Sequence, residues 1–270
     1  MIKILFIGDI SGYLGKLAIE FQLDEIKKNH NIDFVIANAE NTTKGRGLNW
    51  EDYNFLCKQG IDFFTMGNHT WHKREIFEIL TKKDNIIRPN NLIDEIDESK
   101  YGVGTKVIKI KNKTFRITNL LGATVSIKEW QTNPFIDLEN ILKTQPKTDF
   151  HIVDFHSETT SEKNAFFLEF KGKVDAILGT HTHVQTNDYR IKNKTAYITD
   201  VGMTGAADGV IGAKPESIIS MFKGEQEFFR LEEQTGLYQF CAVVLTFDDN
   251  KNEVINIEPI YIFQEDVLDI

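Results

Sequence analysis

Oxygen and imidazole donors follow five short apolar runs of the sequence. They are Asp9, Glu40 with Asn41, Asn68 with His69, His156, and His181 with His183. Ligands of open α/β sheets bind beyond the carboxyl ends of the strands, so we expect these side chains to converge. One carboxylate after a strand is more often a turn or helix cap. Four of the seven histidines lie at such ends, however, and the whole set predicts a metal site.

The segment Gly179-Thr-His-Thr-His183 contains two histidines spaced two residues apart. In an extended segment such residues face the same way, so we expect both imidazoles to point into one site. The spacing alone leaves open whether they bind one metal or two. Gly8, Gly67 and Gly179 would let the backbone turn sharply close to this site, although each also fits an ordinary turn after a strand.

Strands and helices must alternate to place these donors at one edge. The apolar runs cover residues 4–7, 34–37, 63–66, 152–155 and 176–178, as buried strands do. Helical periodicity covers 14–28 and 50–58, and the second segment reaches a natural helix end at Gly60. The first half is therefore predicted to fold in β-α-β-α-β order.

The middle and the end of the chain carry a different pattern. Segments 105–110 and 114–120 are β-rich and flank a turn at 111–113, and segments 239–247 and 253–263 flank a polar turn. Two sheets covered by helices explain these elements most simply. With five prolines and no Pro/Gly/Ser-rich linker, we expect one domain over 1–270, with an irregular insertion near 121–134.

Composition excludes several classes of protein. The chain has 270 residues, of which 41% are hydrophobic and 26% charged, as in ordinary globular domains. Its formal charge of −9 disfavours general binding to nucleic acid duplexes. Two distant cysteines indicate neither a disulfide framework nor a thiolate zinc site, which suits the cytoplasm. Residues 1–9 read as a first strand rather than a signal peptide, and no apolar stretch approaches a membrane span.

The donor motifs resemble the signature of the calcineurin-like metallophosphoesterases. Longer strings resemble the YmdB-like branch of that superfamily: NAEN at 38–41, MGNHTW at 66–71, DFHSETTSE at 154–162, GTHTHVQT at 179–186 and TDVGMTG at 199–205. The broad family usually opens with Asp-x-His, whereas this chain has Asp9-Ile-Ser11. The resemblance implies that Asn41, beside Glu40, replaces the missing histidine.

The resemblance implies a fold and a ligand set. The fold is an α/β, four-layer α-β-β-α sandwich of two mixed β-sheets flanked by helices. Two divalent or mixed-valence ions are expected, iron or manganese by their mixed nitrogen and oxygen ligands. One ion would be bound by Asp9, Glu40, Asn41 and His183, and the other by Glu40, Asn68, His156 and His181. Glu40 would thus bridge the two ions.

The resemblance also implies an enzyme. We expect a dinuclear metal-dependent phosphodiesterase that acts on phosphodiesters such as 2′,3′- or 3′,5′-cyclic nucleotides, through attack of a metal-bound hydroxide on phosphorus. His69 would protonate the leaving oxygen, or only orient it. A phosphomonoesterase and a non-catalytic sensor of metal or nucleotide are the alternatives. RNA ends as substrates and a homo-oligomer stay open, and no membrane partner is expected.

Three further residues have two readings each. Asp154 shares a strand face with His156 and is expected either to orient it or to form an unrelated structural pair. Lys44 and Arg46 lie on the loop after Glu40, where they would supply cations to the pocket or simply be solvated.

Overall fold

The computed structural model describes residues 1–93, 101–127, 130–225 and 232–264. Its helices are α1 (Gly12–His30), α2 (Trp50–Gln59), α3 (Glu75–Lys82), α4 (Pro134–Thr144), α5 (Thr160–Phe170) and α6 (Pro215–Phe222), with a 3-10 turn at Thr70–His72. Within the described ranges, no helix combines the length and the apolar character needed to cross a bilayer.

The strands of the first half are β1 (Ile2–Ile7), β2 (Asp9–Ile10), β3 (Phe34–Asn38), β4 (Phe63–Thr65), β5 (Leu92–Ile93), β6 (Thr105–Ile110) and β7 (Lys113–Leu121). Those of the second half are β8 (Trp130–Gln131), β9 (Phe150–His156), β10 (Ala176–Thr180), β11 (Arg190–Lys192), β12 (Thr195–Ile198), β13 (Met203–Ala206), β14 (Tyr238–Asp248) and β15 (Glu253–Phe263).

Two mixed sheets dominate the architecture. The first sheet has the order β2-β13-β14-β1-β3-β4, with β15 paired to β14. Within it β1, β3 and β4 run parallel, while β14 is antiparallel to β1 and β15. The second sheet has the order β11-β12-β10-β9-β7-β6, with parallel pairing from β12 to β7 and antiparallel strands at both edges.

Three apolar clusters hold four layers together. One cluster packs α1 and α2 on the outer face of the first sheet, through side chains such as Leu23 and Leu56. A second cluster lies between the sheets, where Phe6 and Phe63 meet Phe150. A third packs α4 and α5 on the second sheet. The predicted α-β-β-α sandwich is therefore confirmed.

The predicted elements match those of the structure closely. All five apolar runs lie in or overlap strands, and the predicted helices correspond to α1 and α2. Asn49 caps α2 by accepting a hydrogen bond from the Asp52 N–H at 2.8 Å, and Gly60 ends it with a φ of 97°. Both predicted hairpins are present, as β6–β7 and β14–β15.

The predicted irregular segment lies between the second sheet and α4. Within 121–134, residues 128 and 129 lie outside the described ranges, and the short strand β8 pairs with β5. The single domain and its insertion stay predictions.

Candidate metal centre

The ends of five strands bring the predicted ligands together. Glu40 and Asn41 follow β3, Asn68 follows β4, His156 is the last residue of β9, and His181 follows β10. Asp9 follows β1 after one glycine. The first sheet therefore supplies the acidic and amide side chains, and the second sheet supplies the imidazoles.

Glu40, His156 and His181 form the centre of the site. Nε2 of His156 lies 3.1 Å from Oε1 of Glu40 and 3.0 Å from Nδ1 of His181. One ligand atom from each residue falls within 4.8 Å of the others, and Glu40 and His156 are buried. Two imidazole nitrogens and a carboxylate facing one point make a donor set that binds a transition metal.

The remaining predicted ligands adjoin this centre. Oδ1 of Asn68 lies 2.9 Å from Nε2 of His156. On the other side, the amide nitrogen of Asn41 lies 3.3 Å from Oε1 of Glu40 and 3.1 Å from Nε2 of His183. A half-turn of this amide would place its oxygen there, where a cation could be bound. Glu40 therefore lies between two groups of predicted ligands, His156 with Asn68 and Asn41 with His183.

Asp9 provides a test of whether a cation fits. Its Oδ2 accepts a hydrogen bond from the backbone N–H of His181 at 3.0 Å. Its Oδ1 is buried and has no hydrogen-bond partner among the described residues. A buried carboxylate oxygen without a donor is costly, so this atom suits a metal ion as its missing partner.

The site leaves no space for a side chain at Gly67. A Cβ atom there would lie 2.3 Å from Oε2 of Glu40 and 2.5 Å from Nε2 of His156. The bare backbone of Gly67 therefore lets these two ligands approach each other. The same close approach occurs at Gly8, where a Cβ would meet the carbonyl oxygen of Gly202 at 1.9 Å.

Burial and charge shift the pKa values of these groups in opposite directions. Burial raises the pKa of Asp9. Burial alone would lower the pKa of His156, but the carboxylates of Glu40, Asp9 and Asp154 raise it to about 9. Burial lowers the pKa of His181 to about 3. The metal-free cluster thus retains positive charge at His156, close to where a cation would bind.

The backbone at His181 and His183 differs from the prediction. We expected an extended segment, but the two residues have φ values of 96° and 66°. A turn with positive φ therefore presents these imidazoles, so the predicted extended backbone was wrong even though both side chains reach the site. Within this turn, the intervening Thr182 donates two hydrogen bonds to the buried Asp200.

Asp154 joins the two sheets beneath the site. It lies on β9 of the second sheet and accepts hydrogen bonds from Thr65 Oγ1 at 2.5 Å and Asn38 Nδ2 at 3.1 Å, both from the first sheet. It also accepts from Thr180 Oγ1 within its own sheet. Burial raises the pKa of Asp154 to about 6.

His69 lies at the entrance of the cluster. Its backbone N–H donates to Oε2 of Glu40 at 2.8 Å, and its buried Nδ1 has no hydrogen-bond partner among the described residues. Burial lowers the pKa of His69 to about 4, so the ring is neutral at neutral pH. His69 is thus close to the predicted ligands and contacts Glu40 through its backbone. Among the described residues, none hydrogen-bonds to Nδ1 of its ring.

Two adjoining cavities open onto the cluster. One, of about 220 Å³, is lined by Glu40, Asn41, His181 and His183 among others. The other, of about 420 Å³, is lined by Asn68, Trp71 and His72 among others. Arg46 and His69 line both cavities, whereas Lys44 lines neither. Arg46 is therefore the loop cation that faces the candidate site.

Sequence reasoning missed two residues that support the site. Lys163 on α5 and Asp200 after β12 form a buried ion pair below the His181–His183 turn. Asp200 lies within the TDVGMTG string, but nothing in that pattern identifies Lys163 as its partner. A lysine in the first turn of a helix is ordinarily solvated, so only the tertiary structure shows this pair.

Comparison with known proteins places this geometry in context. Residues 5–260 match the family model described as YmdB-like protein. A Mycoplasma genitalium protein, provisionally named a phosphatase/phosphodiesterase, is 45% identical over 98% of this chain and 94% of its own. The Bacillus subtilis 2′,3′-cyclic-nucleotide 2′-phosphodiesterase is 38% identical over 96% of this chain and 97% of its own. A crystal structure described as a novel phosphatase from Mycoplasma pneumoniae superposes with a TM-score of 0.94 at 41% identity, covering 98% of this chain and 95% of the other.

Proposed function

The chain belongs to the YmdB-like family, and from this membership we propose that it is a metal-dependent phosphoric ester hydrolase with a dinuclear centre. Its substrates are phosphodiesters such as 2′,3′- or 3′,5′-cyclic nucleotides. The observation that carries the proposal is the cluster of the buried Glu40 and His156 with the partly buried His181, whose ligand atoms lie within 4.8 Å of one another.

The surrounding residues extend this cluster to two metal sites. Glu40 has a neighbour on each side: His156 with Asn68, and Asn41 with His183. Oδ1 of Asp9, which accepts no hydrogen bond from the part of the chain that the structure describes, adds a further oxygen donor. We assign Asp9, Glu40, Asn41 and His183 to one ion, and Glu40, Asn68, His156 and His181 to the other. Mixed oxygen and nitrogen donors favour manganese or iron.

The metals and the protein have separate roles. Two bound ions would lower the pKa of a shared water and offset the negative charge that develops on the phosphate. Arg46 is exposed, lines both cavities and can donate two hydrogen bonds to phosphate oxygens. His69 lines the same cavities, and its neutral ring can donate a hydrogen bond from its one N–H to the departing ester oxygen. To transfer a proton to that oxygen, the ring must first take one up.

The cavities favour a diester over a monoester. A phosphodiester carries substituents on both sides of phosphorus, and two spaces of about 220 and 420 Å³ share Arg46 and His69 in their walls, so each could take one substituent. The name of the Bacillus subtilis relative supports a 2′,3′-cyclic nucleotide as the first substrate to test. RNA ends as substrates and self-association of the chain stay open under this proposal.

Hydrolysis assays test the proposal directly. Purified protein loaded with Mn²⁺ or Fe²⁺ is assayed with 2′,3′-cyclic AMP, bis-p-nitrophenyl phosphate and p-nitrophenyl phosphate. We expect chelator-sensitive turnover of both diesters that exceeds turnover of the monoester. Glu40→Gln should abolish it, while Glu139→Gln on the exposed side of α4 should not.

Each assay has an outcome that contradicts the proposal. Equal or faster monoester turnover would favour a phosphomonoesterase. A protein that binds metal but turns over none of these esters would favour the sensing role instead.

A further inference from the structure

A buried ion pair lies below the turn that presents His181 and His183. Nζ of Lys163 lies 2.7 Å from Oδ2 of Asp200, and both side chains are almost completely inaccessible to solvent. The same ammonium group donates to the carbonyl oxygen of Thr180 at 2.9 Å. Lys163 thus binds both the carboxylate and the end of β10.

The carboxylate of Asp200 gathers donors from the segments around the site. Its Oδ2 accepts from the backbone N–H of Thr182 at 3.0 Å and from the Thr182 hydroxyl at 2.7 Å. Its Oδ1 accepts from the backbone N–H of Gly202 at 2.8 Å. With Lys163, Oδ2 has three donors and Oδ1 has one, all of them inside the protein.

Thr182 is the residue between the two histidines. Since His181 and His183 both have positive φ, the turn holds two non-glycine residues in a backbone conformation that is strained for residues with a side chain. Such a conformation persists only where surrounding contacts impose it. The two hydrogen bonds from Thr182 to Asp200 are the contacts in the right place to do so.

Gly202 extends the effect of Asp200 to the other sheet. Its carbonyl oxygen accepts a hydrogen bond from the backbone N–H of Asp9 at 3.1 Å. Gly202 therefore connects Asp200 to Asp9, and Thr182 connects it to both histidines. Three of the seven proposed ligands are thus connected to one carboxylate through a neighbouring residue, although no hydrogen bond joins its side chain to theirs.

We propose that Asp200, paired with Lys163, is a positioning residue that sets the geometry of His181, His183 and Asp9 for metal binding. The inference rests on the proposed function, because it gives these three residues the role of ligands. A buried ion pair is a weak source of stability, since the cost of desolvating both charges offsets their attraction. Its contacts with the ligand-bearing segments explain its presence better than a contribution to stability does.

Metal binding by the full chain tests the inference. Chelator-treated wild type, Asp200→Asn, Lys163→Met and Thr182→Val are titrated with Mn²⁺ in a calorimeter, and thermal melting is recorded for each. Asp200→Asn and Lys163→Met should weaken Mn²⁺ binding about 10- to 100-fold, the usual effect of losing a group that orients ligands. Thr182→Val should fall at the lower end of that range, because one of its two hydrogen bonds remains.

Asp175→Asn is the matched control. Asp175 is a partly buried carboxylate immediately before β10, at the opposite end from His181, and it accepts from the backbone N–H of His151 at 2.7 Å. We expect this variant to melt at a lower temperature but to bind Mn²⁺ as wild type does. Such a result would show that Mn²⁺ affinity falls because a change lies next to the ligands, and not because the variant is less stable.

Each result has one meaning. The inference is overturned if folded Asp200→Asn and Thr182→Val bind Mn²⁺ like wild type, or if Asp175→Asn weakens binding equally. If Asp200→Asn does not fold, Thr182→Val, which keeps the ion pair, decides alone. Wild type that binds no Mn²⁺ or Fe²⁺ would instead refute the proposed metal centre itself.

Discussion

Asp154 is joined to His156 by a single hydroxyl group, that of Thr180. The hydroxyl donates to Oδ1 of Asp154 at 2.7 Å and lies 2.9 Å from Nδ1 of His156. Because its only proton points to Asp154, the hydroxyl must accept from Nδ1–H of His156. Nε2, which faces Glu40 and Asn68, then has a free lone pair for a metal whenever the ring is neutral. Of the two interpretations of Asp154, these contacts favour the one in which it orients His156, although only through Thr180.

Thr180→Val should weaken metal binding while preserving the shape of the strand end. Valine has the volume of threonine but cannot accept from Nδ1, so the ring loses its preferred tautomer. We expect Mn²⁺ affinity to fall about 10- to 100-fold in calorimetric titrations. Thr180→Ser retains the hydroxyl and should bind nearly as wild type does. Equal losses in both variants would mean that packing, rather than the hydrogen bond, matters.

Gly67→Ala should prevent the ligands from assembling. A Cβ at 2.3 Å from Oε2 of Glu40 cannot be accommodated unless that carboxylate or the His156 ring moves. We expect Mn²⁺ binding and diester turnover to be lost together. Gly224→Ala is the comparison, because its Cβ would meet nothing within 4 Å and its positive φ costs only backbone strain. Wild-type binding in Gly67→Ala would contradict the close approach.

His69→Ala separates proton donation from orientation. If the ring donates to the leaving oxygen, turnover of 2′,3′-cyclic AMP should fall about 10²- to 10⁴-fold. Turnover of bis-p-nitrophenyl phosphate should fall far less, because nitrophenolate leaves without protonation. Mn²⁺ affinity should change little in either case. An equal loss with both substrates would assign His69 an orienting role.

Arg46→Ala should raise KM more than it lowers kcat. The guanidinium group lines both cavities, and the loss of a hydrogen bond to a charged group corresponds to roughly a 10-fold weaker interaction. Lys44→Ala removes a neighbouring charge that lines neither cavity, so its KM should stay near that of wild type. Similar KM values for the two variants would indicate that only the overall charge of the loop matters.

His151 should make the protein sensitive to acid. Burial, together with the charge of Arg116, lowers the pKa of His151 from 6.5 to about 3. Between these values the unfolded chain binds a proton that the folded protein does not, so the free energy of unfolding falls as the pH decreases. This contribution to stability is complete above pH 6.5.

Urea unfolding at pH 7 and pH 4.5 measures this effect in metal-free protein. Between pH 7 and pH 4.5, the free energy of unfolding should fall by roughly 2 kcal/mol more in wild type than in His151→Gln, because glutamine does not titrate. His151 donates to or accepts from Thr118 Oγ1 at 2.8 Å, a contact that glutamine can replace. Parallel losses in the two proteins would show that His151 is protonated with its ordinary pKa.

The sequence predicted where donors meet, but not how the backbone presents them. Continuous apolar runs such as 4–7 and 152–155 are typical of buried strands, and the donors that follow them then share one edge. The turn at His181 and His183 depends instead on Asp200, 17 residues beyond His183, and on Lys163, 18 residues before His181. No local pattern encodes a contact between such distant residues.

Local sequence patterns also did not predict the order of the strands in each sheet. β13 lies between β2 and β14, and β14 lies against β1, so the C-terminal part of the chain completes the sheet that β1 begins. Composition showed that these segments are β-rich, but register and neighbour choice depend on tertiary packing. This arrangement is also what brings Gly202 alongside Asp9.

The hydrogen bonds that Asp154 receives from Thr65 and Asn38 have a mechanical consequence. Apolar packing between the two sheets fixes their spacing, but because it is non-directional it resists sliding only weakly. Hydrogen bonds are directional, and these two join the sheets directly below the site. They therefore restrain the two sheets from sliding past each other, so that the carboxylates of one sheet and the imidazoles of the other keep their alignment.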